Sequence, residues 1–577
     1  MKTIINITLL LLAASFCVAQ QIIVGDPAEP CGPPKPDYWI GRARTPIRRG
    51  EGQGRGQTQR QLQKTFTAAA LDSYAFGSNV RVNDNPAGMS FASTYSSGGH
   101  SIAARGDTVY LVWRSDHTGT SQIYFDKSVN GGATWGTDVA ISDNPTAAGV
   151  MPALALGQDG TIYVSWTDWR DGNRHIYFAK STNGGASFTA AMRVQPATED
   201  RQQSSSIAVN DSGYVFIAYE DFRNLAATAI DIYCSRSIDG GNSFEPAVRV
   251  NSDSDSISQW YPSMAVIDST VFIVWKDFRD TAYTGGGDII CFSKSHDYGV
   301  TFNNRILVND TTGLPLYNVD NPSVAITDTT LYVAWLDTRN SGNCDIYFTK
   351  SIDGGQTFLT PNINLVDAAG MAYYQGYPSL ACDDSGGVYC AFEDLRDQAY
   401  YPASRHLYYG FSKNYGDSFS LNYHLDDRPL YDSAWLFTPT ICANTAGKLF
   451  SAWTDNRNSF GGSYDVYTTA GHFVGVEGQP TYGIQVDKTG MKLYPNPFTT
   501  ALTIEYQLMK PGNVGLFVYN ITGQRIKTIF MADHTPGNKK TAWSGQDDQG
   551  EKVPTGIYFV CLNTKGKSVT KRITFIK

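Results

Sequence analysis

Charge is scarce in this 577-residue chain: only 17% of the residues are Asp, Glu, Lys or Arg, and the formal net charge is −8. A general nucleic-acid binder needs a basic face, so nucleic acid is excluded as a partner. Long apolar runs are missing beyond the one at the N-terminus, and no transmembrane segment is expected. Cysteine is sparse too. The eight beyond residue 19, at 31, 234, 291, 344, 382, 390, 442 and 561, are scattered without a CxxC pair, so no zinc site, no other metal and no cofactor is expected. Cys382 and Cys390 flank a DDSGG turn, where they either face each other across a hairpin or remain two buried thiols.

What the chain does contain is Gly and aromatic residue, with 55 Gly and 34 Tyr, which points to many short strands and tight turns. Its length exceeds one compact core, so a large domain with smaller appendages is expected. Lys2, the apolar run 4–14 and the small-residue exit Cys17-Val18-Ala19 read as a secretory signal peptide over residues 1–19. Lipidation at Cys17 is disfavoured by the bulky Phe16 before it. Residues 20–72, rich in Arg, Gln and Gly, lack apolar periodicity and read as a disordered leader, or as a basic tether to an acidic envelope surface.

One turn is written six times. SVNGGATW begins at Ser128, STNGGASF at Ser181, SIDGGNSF at Ser237, SHDYGVTF at Ser295, SIDGGQTF at Ser351 and SKNYGDSF at Ser412, with spacings of 53, 56, 58, 56 and 61 residues. That is the period of a four-stranded unit with its loops. The Asp or Asn at the third position can accept from nearby backbone N–H groups, the Gly at the fifth permits positive φ, and the closing aromatic fills the space between neighbouring sheets. Three copies carry Asn (Asn130, Asn183, Asn414) and three Asp (Asp239, Asp297, Asp353), which suits a hydrogen-bonded turn better than a hard-cation site. Seven second strands are countable, starting near residues 109, 162, 215, 271, 331, 388 and 449, against only six turns. The lone strand NVRV at 79–82 is therefore expected to complete the last sheet from the N-terminal side and to close the circle.

The six copies resemble the Asp-box, or BNR, repeat of the sialidase-like superfamily of β-propellers. The resemblance implies an all-β chain with a seven-bladed β-propeller over residues 73–475. After a linker at 476–491, residues 492–577 alternate strands with Gly turns, which indicates a small C-terminal immunoglobulin-like β-sandwich. Their YPNPF, Asn520-to-Gly523 turn and PTGIYF segments resemble the C-terminal sorting domain of the type IX secretion pathway. This resemblance implies export through an outer membrane by that machinery, followed by release or attachment at the surface.

A second motif recurs after each second strand: WTDWRD (166–171), YEDFRN (219–224), WKDFRD (275–280), WLDTRN (335–340), FEDLRD (392–397) and WTDNRN (453–458), with a degraded WRSD at 113–116. The arginines Arg170, Arg223, Arg279, Arg339, Arg396 and Arg457 either form a ring of salt bridges between sheets or turn toward the mouth to hold an anionic ligand, as the resemblance to sialidases implies. The connections leading into the first strands carry Trp260, Tyr261, Tyr317, Tyr373, Tyr374, Tyr377, Tyr431, Trp435 and Phe437 on the same face, as a platform for sugar or protein or as packing. Glu220 and Glu393 add a carboxylate beside the shared Asp and are the catalytic candidates. The Phe/Tyr-Arg-Ile-Pro signature of sialidases is absent, and Arg44-Thr-Pro-Ile47 only faintly approaches it. The leading expectation is accordingly a secreted or surface-attached module that binds glycan or extracellular protein, with a sialidase-like glycoside hydrolase and a structural adhesion module as the alternatives.

Overall fold

The computed structural model describes the chain from residue 73 onward except 86–91, 94–99, 196–199, 253–256, 281–286, 311–317, 328–329, 341–342, 368–372, 400–403, 430–433, 459–462, 475–490, 509–511, 521–524, 536 and 565–566. The signal-peptide, leader and linker readings, together with Tyr317 and Tyr431, lie outside the described residues, and at Arg279 only the backbone is described. The chain divides into two compact units, residues 1–473 and 474–577.

Among its described residues the first unit is all-β apart from two single turns of helix, Leu225–Thr228 and Arg396–Ala399. Its described strands form seven antiparallel sheets. Sheet 1 holds Ala92–Ser93, Ile102–Arg105, Thr108–Ser115, Gln122–Ser128 and Val139–Ala140; sheet 2 holds Gly149–Leu156, Ile162–Asp168, His175–Ser181 and Met192–Arg193. Sheets 3 to 6 repeat the four-strand plan, starting at Gln202–Val209, Gln259–Ile267, Val319–Thr327 and Gln375–Cys382. Sheet 7 consists of Leu436–Ala443, Leu449–Asp455 and Asp465–Val474, completed from the other end of the sequence by Ser73–Phe76 and Val80–Arg81. The register Val80↔Thr468 and Arg81↔Tyr467 and the bond from Val82 N to Val466 O (2.9 Å) fix that pairing. The first strand of each sheet touches that of the next, and sheet 7 touches sheet 1, so the contacts run in a closed circuit.

Apolar residues from adjacent sheets fill the gaps between them, with Trp113, Trp166, Trp275, Trp335 and Trp453 of the second strands fully buried. The repeated Ser-x-Asp/Asn turns fasten one sheet to the next. In the fifth copy Ser351 Oγ donates to Asp353 Oδ1 (2.7 Å) and accepts from Gly355 N (2.8 Å), while Gln356 N and Thr357 N donate to Asp353 Oδ1. Against burial, which pushes it up, these bonds pull the Asp353 carboxyl down to about 2. Gly355 has φ 83°, and a Cβ there would sit 2.5 Å from the Phe292 ring of the preceding sheet. Phe292 also meets the closing Phe358 edge to face at 5.4 Å. The preceding sheet reaches the turn a third time, through Lys294 Nζ donating to Gly354 O (2.6 Å). Lys127, Lys180, Arg236 and Lys350 do the same for their next turns. In sheet 6, which precedes the sheet with no such turn, the position is Phe411.

The second unit contains two antiparallel sheets. Met491–Tyr494, Leu502–Leu508 and Gly537–Trp543 form one; Arg525–His534, Gly512–Asn520, Gly556–Thr564 and Lys567–Phe575 form the other. Both contribute to one core that includes Leu502, Ile504, Trp543, Leu516, Val560 and Ile573. The seven described cysteines are free thiols, so of the two readings for Cys382 and Cys390 the paired one is corrected: the register sets Cys382 opposite Val388 and Cys390 opposite Leu380. Burial pushes the Cys382 thiol up to about 12.

Candidate functional site

The two loop sets meet at one end of each sheet. A first strand begins where the antiparallel second strand ends, so Gln259 stands opposite Asp277, Trp260 opposite Lys276, Gly376 opposite Glu393 and Phe437 opposite Thr454. At this end the first strands of sheets 2 to 7 all bulge, between Val150 and Ala153, Gln203 and Ser206, Trp260 and Ser263, Asp320 and Ser323, Gly376 and Ser379, and Phe437 and Thr440. Each bulge contains a non-glycine residue with left-handed φ: Met151, Ser204, Tyr261, Asn321, Tyr377 and Thr438, at 47° to 56°. Such residues are strained by roughly 1–3 kcal/mol each, and bulges re-aim side chains, which is why both features concentrate at functional sites.

Four of the bulges are held by the residue just before the Asp of the second motif in the preceding sheet. Glu220 Oε1 accepts from Tyr261 N (2.9 Å) and its Oε2 from Gln203 Nε2 (2.8 Å). Glu393 Oε1 accepts from Thr438 N (2.9 Å). In sheet 2, Thr167 Oγ1 accepts from Ser204 N (3.3 Å). Lys276 reaches Asn318 Oδ1 (3.0 Å) and Asp320 (3.4 Å) of the next sheet. Burial raises Glu220 and Glu393 to about 7 each, with the backbone N–H groups pulling the other way. They do not form a pair. Glu220 belongs to sheet 3 and Glu393 to sheet 6, with sheets 4 and 5 between them in the circuit.

The arginines sit in knots. In sheet 2, Trp166 Nε1 donates to Asp168 (2.9 Å), Arg170 Nε and Nη2 grip the same carboxylate (3.1 and 2.8 Å), and the guanidinium lies over Tyr177 at 4.3 Å. Arg170 also reaches Asp143, in the connection that leaves sheet 1 (2.5 Å). Arg339 binds Asp337 and Asp310, Arg396 binds Asp394 and Asp367, and Arg457 binds Asp455 and Asp427, each over a third-strand Tyr at 4.0 to 4.3 Å. Arg223 binds Asp221 and lies over Tyr233. Arg170, Arg339, Arg396 and Arg457 thus each hold two carboxylates, one of them across a sheet boundary, and an anionic ligand there would compete with both; Arg223 holds only the Asp of its own sheet. Sheet 1 lacks the knot: Ser115 and His117 replace the Asp and Arg, and the Trp113 indole N–H is buried without an acceptor.

The aromatics at this end remain for contact. Trp260 packs edge to face on Tyr261 (5.6 Å) and Phe278 (5.9 Å), and Phe278 is 40% exposed with Lys276 Nζ above its ring. Trp435 lies under the Arg405 guanidinium at 4.7 Å, beside the buried pair Phe437 and Tyr464. Tyr374 occupies the space that a side chain at Gly376 would fill, with a Cβ there 2.1 Å from its hydroxyl. Burial, and after it the neighbouring Tyr377 and Glu393, raise the Tyr374 phenol well above its usual value.

Sequence reasoning named Tyr261 and Tyr377 but missed Met151, Ser204, Asn321 and Thr438. The signal was a proline inside a strand: five of the six left-handed residues precede one, as Met151-Pro152, Tyr261-Pro262, Asn321-Pro322, Tyr377-Pro378 and Thr438-Pro439.

Among solved structures the chain is similar to an ulvan lyase described as a new family of polysaccharide lyase, PL25 (11% identity, 67% of this chain and 95% of that one, TM-score 0.47). It is also similar to an α-L-arabinofuranosidase from Fusarium graminearum (14%, 56% and 92%, TM-score 0.42) and to a Hadza microbial sialidase (13%, 55% and 66%, TM-score 0.36). No curated protein matches the chain. Residues 492–577 match the family described as the secretion system C-terminal sorting domain. Among the described residues no helix is long and apolar enough to cross a membrane. The C-terminal segment is a type IX sorting domain, and the protein is exported, either secreted or held at the outer-membrane surface.

Proposed function

We propose that residues 73–475 form a seven-bladed Asp-box β-propeller that binds glycan or extracellular protein with the rim where the bulges and aromatics meet. In this reading a signal peptide (1–19) and leader (20–72) precede the propeller, and a linker (476–491) joins it to an immunoglobulin-like sorting domain (492–577). The observation that carries the binding reading is the row of six left-handed, non-glycine residues at equivalent positions of the first strands, flanked by Trp260, Phe278 and Trp435. Strain repeated at one rim, beside rings that stack on sugars or anchor protein side chains, is an investment in surface geometry.

The test is an array of glycans and extracellular proteins probed with the purified chain and with Trp260→Ala and Trp435→Ala. Loss of at least tenfold in affinity for the captured ligand in either variant supports the assignment. Unchanged binding in both places the contact elsewhere and overturns it.

Glycoside hydrolysis is the second reading, and one observation favours it: Tyr374 lies against Gly376, directly across the strand pair from a Glu393 whose carboxyl is raised to about 7. A carboxyl so poised beside a phenol is suited to general acid/base work. Turnover of a fluorogenic glycoside that is lost in both Glu393→Gln and Tyr374→Phe would establish it; no turnover across a broad panel leaves the binding reading standing.

A further inference from the structure

Sheet 6 differs from sheets 3 and 7 at three positions that face one another. In sheet 3 these positions are Asp231 at the start of the third strand, Arg249 on the outer strand and Asn251 just beyond it. Arg249 reaches Asp231 (3.6 Å), and Asn251 Nδ2 donates to the same carboxylate (2.8 Å). Sheet 7 repeats the set with Asp465, Arg81 and Asn83 (3.7 and 2.8 Å). Both sets are closed ion pairs. In sheet 6 the equivalent residues, fixed by the same register, are His406, His424 and Asp426, and the permanently charged guanidinium has gone. Each of these three offers a ligand atom within 4.8 Å of the other two.

We propose that His406, His424 and Asp426 bind a divalent transition-metal ion of the zinc class. Two imidazoles and a carboxylate are the donor set that such ions prefer, whereas calcium and magnesium would want oxygen alone. His406 Nδ1 lies 3.0 Å from Asp426 Oδ1. Two donors on one tetrahedral zinc stand about 3.3 Å apart, so an ion can take the place of the proton between them with a small adjustment.

The neighbours of His424 set its tautomer. Tyr408 O–H donates to Asp397 Oδ2 (2.9 Å), which spends the only proton the hydroxyl has. Its oxygen, 2.7 Å from His424 Nε2, therefore accepts from that nitrogen, and the lone pair of the neutral ring is left on Nδ1. A metal-binding histidine whose second nitrogen leads to a carboxylate is the recurrent outer-shell arrangement, here with a tyrosine interposed. The Asp426 side chain is fully buried, and His424 is 32% exposed, which gives an ion a route in and leaves a fourth position for water. The nearby Arg428 guanidinium is directed to Asp455 (3.2 Å). Two histidines 18 residues apart carry no spacing signature, so a search of the sequence for CxxC-type zinc motifs passes them by.

The experiment is calorimetric titration of ZnCl2 into the untagged, EDTA-treated chain at pH 7.5, with Co2+ as a spectroscopic substitute. One ion per chain is expected, with the intense visible d–d bands of a tetrahedral Co2+ site. His424→Gln, at a partly exposed position, should fold and lose at least tenfold in affinity. Tyr408→Phe, which touches no ion and removes only the relay, should lose about tenfold. Absence of binding by the wild type, octahedral Co2+ bands alone, or unchanged affinity in a folded His424→Gln each overturns the site; should that variant not fold, the wild-type stoichiometry and Co2+ spectrum decide. None of these readouts depends on glycan or protein binding.

Discussion

Arg396 shows how much of the rim is scaffold. Its guanidinium holds the buried Asp394, reaches Asp367 across the sheet boundary and lies on Tyr408, so three neighbours lose a partner if it is removed. Arg396→Ala leaves a buried carboxylate uncompensated and is expected to cost about 3 kcal/mol in denaturant unfolding, while Arg396→Lys, which keeps charge but not the planar fork, should cost about half that. The Glu393 carboxyl behaves differently, because its stabilising form is the neutral one. Its folded pKa, about 7, is raised above the unfolded value, so its contribution is complete below the unfolded pKa and is lost as pH rises through about 7. Glu393→Gln keeps an oxygen to accept from Thr438 N and should flatten the fall in stability between about pH 4.5 and 7, whereas Glu393→Ala should cost roughly 1–3 kcal/mol at any pH by orphaning that N–H. The repeating Trp-x-Asp-x-Arg was legible in the sequence, and so was its reading as a ring of salt bridges. The stacking Tyr and the second Asp were not, because they come from strands whose register no local pattern states.

At the scale of the element, the repeated Ser-x-Asp/Asn turn is a hub for two sheets. Gly355→Ala must both adopt φ 83° and push the Phe292 ring aside, and is expected to cost roughly 2 kcal/mol or more. Gly106, whose φ is 57° but whose Cβ would meet nothing, should cost only about 1 kcal/mol on the same change; equal losses would mean that the contact with the preceding sheet is immaterial. The turn itself was legible from Ser, Asp and Gly. The basic residue just before five of the six serines was equally visible, and its meaning became clear only with Lys294 resting on the following turn.

At three junctions the outer strands carry a second fastening. Asp310 with Asn362, Asp367 with Asn422 and Asp427 with Asn79 exchange reciprocal bonds from backbone N–H to side-chain oxygen. Where sheet 7 meets sheet 1 the pair is Asp84 with Asp138, two carboxyls (3.0 and 2.9 Å). Burial, and then the charges of Asp84 and Asp126, raise Asp138 to about 7, so this seam is tightest below the unfolded pKa and loosens as pH rises toward neutrality. Asp138→Asn converts it to the Asp–Asn pattern of those three junctions and is expected to add about 1 kcal/mol at pH 8 and nothing near pH 4, measured as the pH dependence of thermal unfolding. A stabilisation of the same size at both pH values would show that charge at the seam is irrelevant.

For the whole molecule, the period of the turns and the stray NVRV strand made the closing of sheet 7 legible, because an unpaired edge on a repeating all-β chain needs a partner and the sequence offered one. The metal-ligand cluster was illegible for the opposite reason: His406 and His424 become neighbours only through the pairing of one third strand with one outer strand. Ring closure is the claim on which the rim, its bulges and its ligand all depend. It is tested most directly by hydrogen–deuterium exchange on the intact chain, read by mass spectrometry on the peptides covering residues 73–83 and 465–474. Closure requires the amides of Gly77 and Val82, bonded to Ala470 O and Val466 O, to exchange as slowly as those of the second strands. Exchange of residues 73–83 within seconds, while the second strands stay protected, would contradict it.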